Sequence, residues 1–503
     1  MIEKLSQSEQ YSMMQKGISK HFVINSAGNV FTLVVSLIIV PIYVHQVGDA
    51  RYGIISIVWL LLGYFGFLDL GLSRASTNLL SQLSHSSDEE RTRVVATSLI
   101  LNLVLGCIGS VILYVSGAFL LETIVSVPAE LKPEISGSLP WVAILLPLAL
   151  VSGVAVGTLE ARERFAAANV LQVISTTIGQ VAPVVCAVLL GPELTIVIPA
   201  AVLSRAFGVL LILAYVALFN GPWTSIRFHK ATSRQLLGYG GWVTISSVAS
   251  PILQSLDQFV IGSNLGVAAI TYYAIPMNLV MRSQLFAAAL SRTLFPRMSR
   301  LNPSESKAVS EASLVTLSFG YAALCAPAII LAKPFISLWI SQPFGDIAGP
   351  IAQVLLIGGW INGLAFIPFS LLQAQGRPDL TAKFHLLEII PFIGILWFLS
   401  SAFGLMGAAV AWTLRVGVDA ALLAFATRIS VRTLARIAPA ALCMLVCYAI
   451  VGFVSMTFWQ AFAAAVVAGC SVVGLAMYFD LGVRSLLLRF RKGVRDDAVR
   501  ELG

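Results

Sequence analysis

The chain has 503 residues, of which 58% are hydrophobic and only 11% charged, whereas an average soluble domain is roughly a quarter charged. Such a chain cannot cover a soluble surface, which excludes soluble enzymes and nucleic-acid-binding proteins and indicates that a lipid bilayer surrounds it. Its 32 Lys and Arg exceed its 24 Asp and Glu and give a net charge of +8, but this excess follows membrane topology and does not indicate a nucleic-acid partner.

The first apolar run begins after about twenty polar residues of mixed charge. It is too long for a signal peptide and has no cleavage site, so it is expected to remain in the membrane. Further apolar runs of about 20 residues, bounded by polar or Gly/Pro turns, predict about fourteen membrane-spanning helices and an all-α polytopic membrane protein. The predicted spans are 22–44, 53–73, 95–121, 138–159, 167–190, 194–219, 236–262, 267–291, 309–332, 348–373, 381–401, 404–427, 435–455 and 458–480.

The positive charges fall on every second loop between these spans. Only Arg51, Lys132 and Lys333 lie on the opposite side, which is the side with the short, acidic loops. Because Lys and Arg accumulate on the cytoplasmic side of membrane proteins, both termini are predicted to be cytoplasmic.

Two stretches of the chain repeat one another. Gly48, Ser73 and Arg74 are followed at a constant offset of 218 residues (266 − 48, 291 − 73, 292 − 74) by Gly266, Ser291 and Arg292. Six spans separate the copies, so both have the same orientation, and parallel repeats of this kind build transporters with two lobes. The predicted organisation is a cytoplasmic segment (1–21), a first lobe (22–220), a second lobe (221–430), two further helices (431–480) and a basic cytoplasmic tail (481–503).

Catalytic motifs are missing from the sequence. It contains no GxxxxGK[ST], HExxH or GxSxG, and its six cysteines lie in apolar segments without a CxxC pair or a neighbouring His. ATP hydrolysis, covalent catalysis, a zinc site and a disulfide framework are therefore not supported. No cofactor is expected apart from a coupling ion, and the chain is not predicted to be an enzyme.

A few ionisable residues lie within the spans, where a charge costs about 2.5 to 3.5 kcal/mol and usually faces a partner or a hydrated cavity. Arg205 and Arg282 are candidates for binding an anionic group, since guanidinium binds phosphate through two hydrogen bonds. The alternative is a structural pair with a carboxylate or with free carbonyls. Arg415 and Asp419 lie four residues apart, so they are expected to neutralise one another on one helix face.

Asp257 and Glu388 are candidate ion-coupling groups, because a buried carboxylate can bind and release a proton or ligate sodium. His385 shares a helix face with Glu388 and is a further proton carrier, or else a solvated interfacial residue. Asp69 and Arg74 lie where a span meets the cytoplasm and act either as an exit cap or, because Arg74 recurs as Arg292, as a gate or headgroup contact. The candidate substrate-binding residues are thus Arg205, Arg282, Arg74, Arg292 and Arg415, and the candidate ion-coupling residues are Asp257, Glu388, Asp69 and Asp419.

The order of several segments resembles one family. VGDARYGIISIV, FLDLGLSRA, the repeat LGVAAITYYAI and the turn QAQGRPDLTAKF resemble the polysaccharide transporter branch of the multidrug/oligosaccharidyl-lipid/polysaccharide exporter superfamily, the bacterial O-antigen and exopolysaccharide flippases. The lipid II flippases of this superfamily resemble the chain less, because it lacks the paired Arg-Asp that they carry near the start of the first span.

The resemblance implies two six-helix lobes facing a central cavity. It also implies that an undecaprenyl-pyrophosphate-linked oligosaccharide moves across the bacterial inner membrane, coupled to a proton or sodium gradient. The sequence leaves open whether polysaccharide polymerase machinery is a partner. It fixes no site residue. Two alternatives remain: a multidrug or metabolite cation antiporter of the same superfamily, and a membrane-embedded sugar polymerase, against which the short outer loops argue.

Overall fold

The computed structural model describes residues 28, 30–65, 69, 72–83, 87–119, 125–162, 164–220, 229, 230, 232, 233, 236 and 256–480. Within these residues all regular secondary structure is helical. Ten helices of the described part are long and apolar enough to cross a membrane. The chain is therefore an all-α, multi-pass membrane protein, as predicted, while the number of fourteen spans stays a prediction. The predicted terminal segments, 1–21 and 481–503, lie outside the described residues.

The chain forms two compact units, Met1–Ser255 and Leu256–Gly503. The described helices of the first unit are α1 (Val30–Val47), α2 (Asp49–Phe65), α3 (Leu72–Gln82), α4 (Asp88–Phe119), α5 (Lys132–Ala161), α6 (Phe165–Leu189) and α7 (Leu194–Asn220). Those of the second unit are α8 (Leu256–Leu265), α9 (Val267–Ser283), α10 (Leu285–Arg300), α11 (Pro303–Trp339), α12 (Gln342–Ala374), α13 (Pro378–Ala426), α14 (Val431–Phe453) and α15 (Phe458–Phe479).

The two units repeat the spacing of their helices. The first residues of α2 and α9 are 218 positions apart (267 − 49), the offset found in the sequence. The glycines just before them, Gly48 and Gly266, both have positive φ, at 79° and 87°, a conformation that glycine adopts without steric cost. The internal duplication inferred from the sequence is thus present in the backbone.

The predicted eighth span, 267–291, is not a single helix. Helix α9 ends at Ser283 and α10 begins at Leu285. Polar side chains stabilise this break: the Ser283 hydroxyl lies 2.6 Å from the Tyr321 hydroxyl, and Asn362 donates a 2.9 Å hydrogen bond to the Gln284 side chain. Polar groups at a break can bond to one another where the regular backbone ladder is interrupted.

Helix α13 is bent in its middle. It runs over 49 residues, but Gly404 has φ 60° and ψ −143°, which is not helical. The bend lies between the predicted eleventh and twelfth spans, so these form the two arms of α13. Residues that are far apart in sequence are thereby brought together, and the candidate site depends on this bend.

Helices α4 and α5 approach closely at Gly106. A Cβ atom at this position would lie 2.5 Å from the Pro147 Cα, closer than any van der Waals contact allows. Small residues at membrane helix interfaces allow such close backbone packing. Gly106 therefore fixes how close these two helices of the first unit come.

Candidate functional site

A cluster of four ionisable side chains lies between the two arms of α13. The first arm contributes His385 and Glu388, and the second contributes Arg415 and Asp419. Arg415 Nε lies 3.3 Å from Glu388 Oε2, with side-chain exposures of 10% and 5%. His385 Nε2 lies 3.8 Å from Asp419 Oδ1, with exposures of 16% and 7%. We call these four residues the hairpin cluster.

The hydrogen bond of Arg415 within the hairpin cluster goes to Glu388, whereas the sequence spacing pointed to Asp419. Arg415 contacts Glu388, 27 residues earlier in the chain, and Asp419 faces His385. The bend at Gly404 places an acid of the first arm against Arg415, so each second-arm residue contacts the opposite arm. The Arg415 guanidinium also lies 5.7 Å from the centre of the Phe392 ring, a cation–π arrangement.

Asp257, on α8, has hydrogen-bond donors outside the hairpin cluster. It is 1% exposed. Its Oδ2 accepts a 2.7 Å hydrogen bond from the Tyr273 hydroxyl, and its Oδ1 accepts a 2.8 Å bond from the Gln258 amide. Arg415 lies within electrostatic range of this carboxylate. Asp257 is thus a neighbour of the hairpin cluster whose two oxygens both have donors.

Tyr273 contacts the candidate carboxylate Asp257, a role that the sequence analysis does not predict. It lies in the repeat segment LGVAAITYYAI and is fully buried, so its hydroxyl needs a partner. A Tyr within an apolar span, one turn or more from any interface, is the signal that could have pointed to this contact. The sequence does not reveal that the partner is Asp257, since 16 residues separate them.

The other predicted arginines occupy different environments. Arg205 is partly buried in the middle of α7, and among the described residues no carboxylate pairs with it. Arg282 lies in the last turn of α9, beside the helix break, and its side chain is exposed. Arg292 is exposed on α10. Arg74 belongs to α3, and its side chain lies outside the described part.

Asp69 has a structural contact. Its carboxylate accepts hydrogen bonds from the Ser73 amide (3.1 Å) and the Ser73 hydroxyl (2.6 Å) at the start of α3. A carboxylate at a helix N-terminus satisfies free backbone N–H groups and is stabilised by the helix dipole. Asp69 therefore stabilises the start of α3, and its expected roles as an exit cap or a gate stay predictions.

A second charged contact joins three helices of the first unit. Arg51 at the start of α2 binds both carboxylate oxygens of Glu134 at 2.9 and 2.6 Å, and Glu134 also accepts a 2.8 Å hydrogen bond from the Leu194 amide. Bidentate Arg–carboxylate pairs are among the stronger ion pairs. Arg51, one of the few basic residues outside the basic loops, therefore ties the starts of α2, α5 and α7 together.

The sequence and the fold of this chain are both similar to those of known proteins. The family model described as polysaccharide biosynthesis protein matches residues 18–302. A Shigella flexneri protein assigned as an O-antigen transporter is 28% identical over 408 residues, which cover 79% of this chain and 96% of that protein. The lipopolysaccharide biosynthesis protein WzxC of Escherichia coli K12 is 23% identical over 172 residues, 33% of this chain and 35% of that protein.

Solved structures show the same fold. The lipid II flippase MurJ in an inward closed conformation has a TM-score of 0.72 with 15% identity, and the match covers 92% of this chain and 100% of that one. An inward-facing multidrug resistance MATE transporter of the MOP superfamily has a TM-score of 0.66 with 16% identity, covering 81% and 95%. These similar proteins are transporters and flippases, not enzymes. Since the family match spans more than half of its residues, the chain belongs to the polysaccharide biosynthesis protein family.

Proposed function

We propose that this chain is a flippase that moves an undecaprenyl-pyrophosphate-linked oligosaccharide, the repeat unit of an O-antigen or exopolysaccharide, across the bacterial inner membrane. The observation that carries the proposal is the match along 96% of the O-antigen transporter. The MurJ-like fold supports it. The proposed cycle is alternating access by the two repeated units, with both termini in the cytoplasm.

Deletion of the gene in its native bacterium tests this function. Without the flippase, lipid-linked oligosaccharide is expected to accumulate on the cytoplasmic leaflet, and surface glycan is expected to fall. The measurement is structural analysis of the lipid-linked oligosaccharides, with a plasmid copy of the gene as the control. Unchanged surface glycan without accumulation would contradict the proposal.

The glycan lipid carries a pyrophosphate, and Arg205 is the residue we propose to bind it. Burial of a guanidinium without a described carboxylate partner is costly unless the side chain meets an anion or water, and guanidinium forms charge-assisted hydrogen bonds to phosphate oxygens. Arg282, beside the break between α9 and α10, and Arg292 are exposed and are proposed as further contacts. Arg74 is the equivalent of Arg292 in the first repeat.

Arg205→Ala is expected to lower the export rate roughly 10- to 100-fold, because a hydrogen bond to a charged group contributes about 1.5 to 3 kcal/mol. The measurement is the rate at which labelled repeat units reach the cell surface in the complemented deletion strain. Arg205→Lys keeps the positive charge but cannot form bidentate hydrogen bonds to a phosphate, so its export rate should be intermediate. Arg432→Ala, which removes an exposed arginine from the start of α14, is the matched control. Export by Arg205→Ala at the rate of this control would exclude the assigned role.

We further propose that an ion gradient drives the cycle, with a proton or sodium as the coupling ion. Three carboxylates of the second unit support this, since Asp257, Glu388 and Asp419 are all buried. Buried carboxylates in membrane transporters commonly mark ion pathways.

Association with the polysaccharide polymerase machinery is proposed from the flippase assignment alone.

The second candidate function is export of a cationic drug or metabolite. The same buried carboxylates and the similarity to the MATE fold favour it. A cation antiporter would leave surface glycan unchanged on deletion and would alter tolerance to cationic compounds. The deletion experiment therefore separates the two functions.

A further inference from the structure

The hairpin cluster carries an unbalanced charge. Glu388 and Asp419 contribute two negative charges, Arg415 contributes one positive charge, and His385 is neutral unless it binds a proton. The four side chains are at most 16% exposed, and net charge in this environment is disfavoured. One additional positive charge makes the cluster neutral.

Two buried carboxylate oxygens of the cluster lack a hydrogen-bond donor among the described residues. Glu388 Oε1 and Asp419 Oδ1 are buried and accept no hydrogen bond from the part of the chain that the structure describes. The two carboxyl groups belong to one cluster, since Glu388 contacts Arg415 from the opposite arm and Asp419 faces His385. Buried acceptors without a donor are rare because each costs free energy. One proton bound by this pair of acids would cancel the excess charge and supply the missing donor.

The surroundings favour a proton over a metal ion. Arg415 already occupies Glu388 Oε2, so a metal ion between the carboxylates would lie beside a permanent cation. The part of the chain that the structure describes contains no group of three or more His, Cys, Asp or Glu side chains placed to hold a metal ion. Hard cations require several oxygen ligands, whereas a proton requires two.

We propose that Glu388 and Asp419 share one exchangeable proton and that this pair is the proton-binding site of the second unit. His385 is the route for the proton, since its Nε2 lies 3.8 Å from Asp419 Oδ1 and imidazole can accept and pass on a proton. Arg415 is a positioning residue. Its permanent positive charge balances one of the two carboxylates, so that one proton is enough to make the cluster neutral. Naming this proton the coupling ion rests on the proposed flippase function, whereas the site itself does not.

Charged and titratable groups on the neighbouring helices are the alternative sites for the proton. Helix α8 presents Asp257 and α9 presents Tyr273, whose hydroxyl donates to Asp257. Both oxygens of Asp257 accept hydrogen bonds, so this carboxylate has no acceptor that lacks a donor. Helix α12 presents the aromatic ring of Phe369, stacked on His385 with 6.3 Å between ring centres, and no charge. The exchangeable proton therefore belongs to the hairpin cluster.

Release of the proton has a mechanical consequence. Glu388 lies on the first arm of α13 and Asp419 on the second, so the unprotonated pair places two negative charges across the hairpin. Their repulsion favours separation of the arms about the bend at Gly404, and protonation favours their contact. Proton binding at this site can thus change the distance between the two arms of α13.

Infrared spectroscopy of the purified full-length protein in nanodiscs, without glycan, tests the site. A C=O stretching band of a protonated carboxyl group is expected, which disappears as the pH is raised and does not change when Na⁺ replaces K⁺ at fixed pH. Glu388→Gln and Asp419→Asn should each abolish this band, because either substitution leaves Arg415 facing a single carboxylate. Asp257→Asn, whose side chain keeps the same size, should retain it.

Three outcomes would overturn the proposal. Loss of the band on adding Na⁺ at fixed pH would assign the site to a metal ion, and a band that does not change with pH would mean that no exchangeable proton is present. Loss of the band in Asp257→Asn, with retention in Glu388→Gln, would move the proton to Asp257. The wild-type titration is decisive even if a variant fails to fold. Because no glycan is used, a titrating band in a protein whose deletion leaves glycan export intact would refute the flippase function and keep the site.

Discussion

Arg415→Met is expected to lower the free energy of unfolding by about 3 to 5 kcal/mol, because removal of one partner leaves the other buried charge uncompensated. Arg415 is the positive charge between Glu388 and the second arm of α13, and its side chain is only 10% exposed. Without it, two carboxylates of the hairpin cluster face each other with no permanent cation. The measurement is thermal unfolding of the purified protein in detergent or nanodiscs, followed by tryptophan fluorescence, with buried Trp412 close by in the same arm.

A double variant separates lost charge balance from lost packing. Arg415→Met combined with Glu388→Met removes both charges and keeps the volume apolar, and replacing a buried ion pair in this way is often neutral or stabilising. The double variant should therefore recover most of the stability lost in Arg415→Met. Lys383, whose pair with Asp379 is exposed, provides the control, since Lys383→Met should change stability by less than about 1 kcal/mol. Equal stability of Arg415→Met and the wild type would show that the cluster does not depend on its arginine.

Gly106→Val should destabilise the first unit by about 1 to 3 kcal/mol, the usual cost of forcing extra atoms into a packed interface. Even the first added carbon would lie 2.5 Å from Pro147 Cα. Because this contact is with backbone, a side-chain rotation cannot relieve it, and α4 and α5 must move apart. A lower unfolding temperature and lower yield of folded protein in the membrane are the expected readouts.

Gly179 in α6 is the matched control for this substitution. A Cβ atom at Gly179 would have no neighbour within 4 Å, so Gly179→Ala tests the loss of a glycine without a steric clash. Alanine has the higher helix propensity, and the control should be neutral or stabilised by up to about 1 kcal/mol. If Gly106→Val were as stable as this control, close packing of α4 on α5 would not limit the stability of the unit.

The duplication shows how far a local pattern extends into the structure. Spacing alone pairs Gly48 with Gly266, and both have positive φ directly before a helix. Glycine there reflects a backbone requirement of the chain itself, so the sequence carries it. The helix breaks are different, because the one at Gln284 depends on Asn362 and Tyr321, which come from other helices and lie far away in the chain.

By itself, the amino-acid sequence determined that this protein is a helical, multi-pass membrane protein with an internal repeat, because hydropathy and residue spacing act over one or two helical turns. It also identified Glu388, Arg415 and Asp419 as buried charges. Only the tertiary structure decided how those charges pair. The i,i+4 rule joined Arg415 to Asp419, but the bend at Gly404 brings Glu388 and His385 across from the other arm. Charges in a bilayer select the nearest compensating group in space, and for this cluster that group lies on the opposite arm of the same helix.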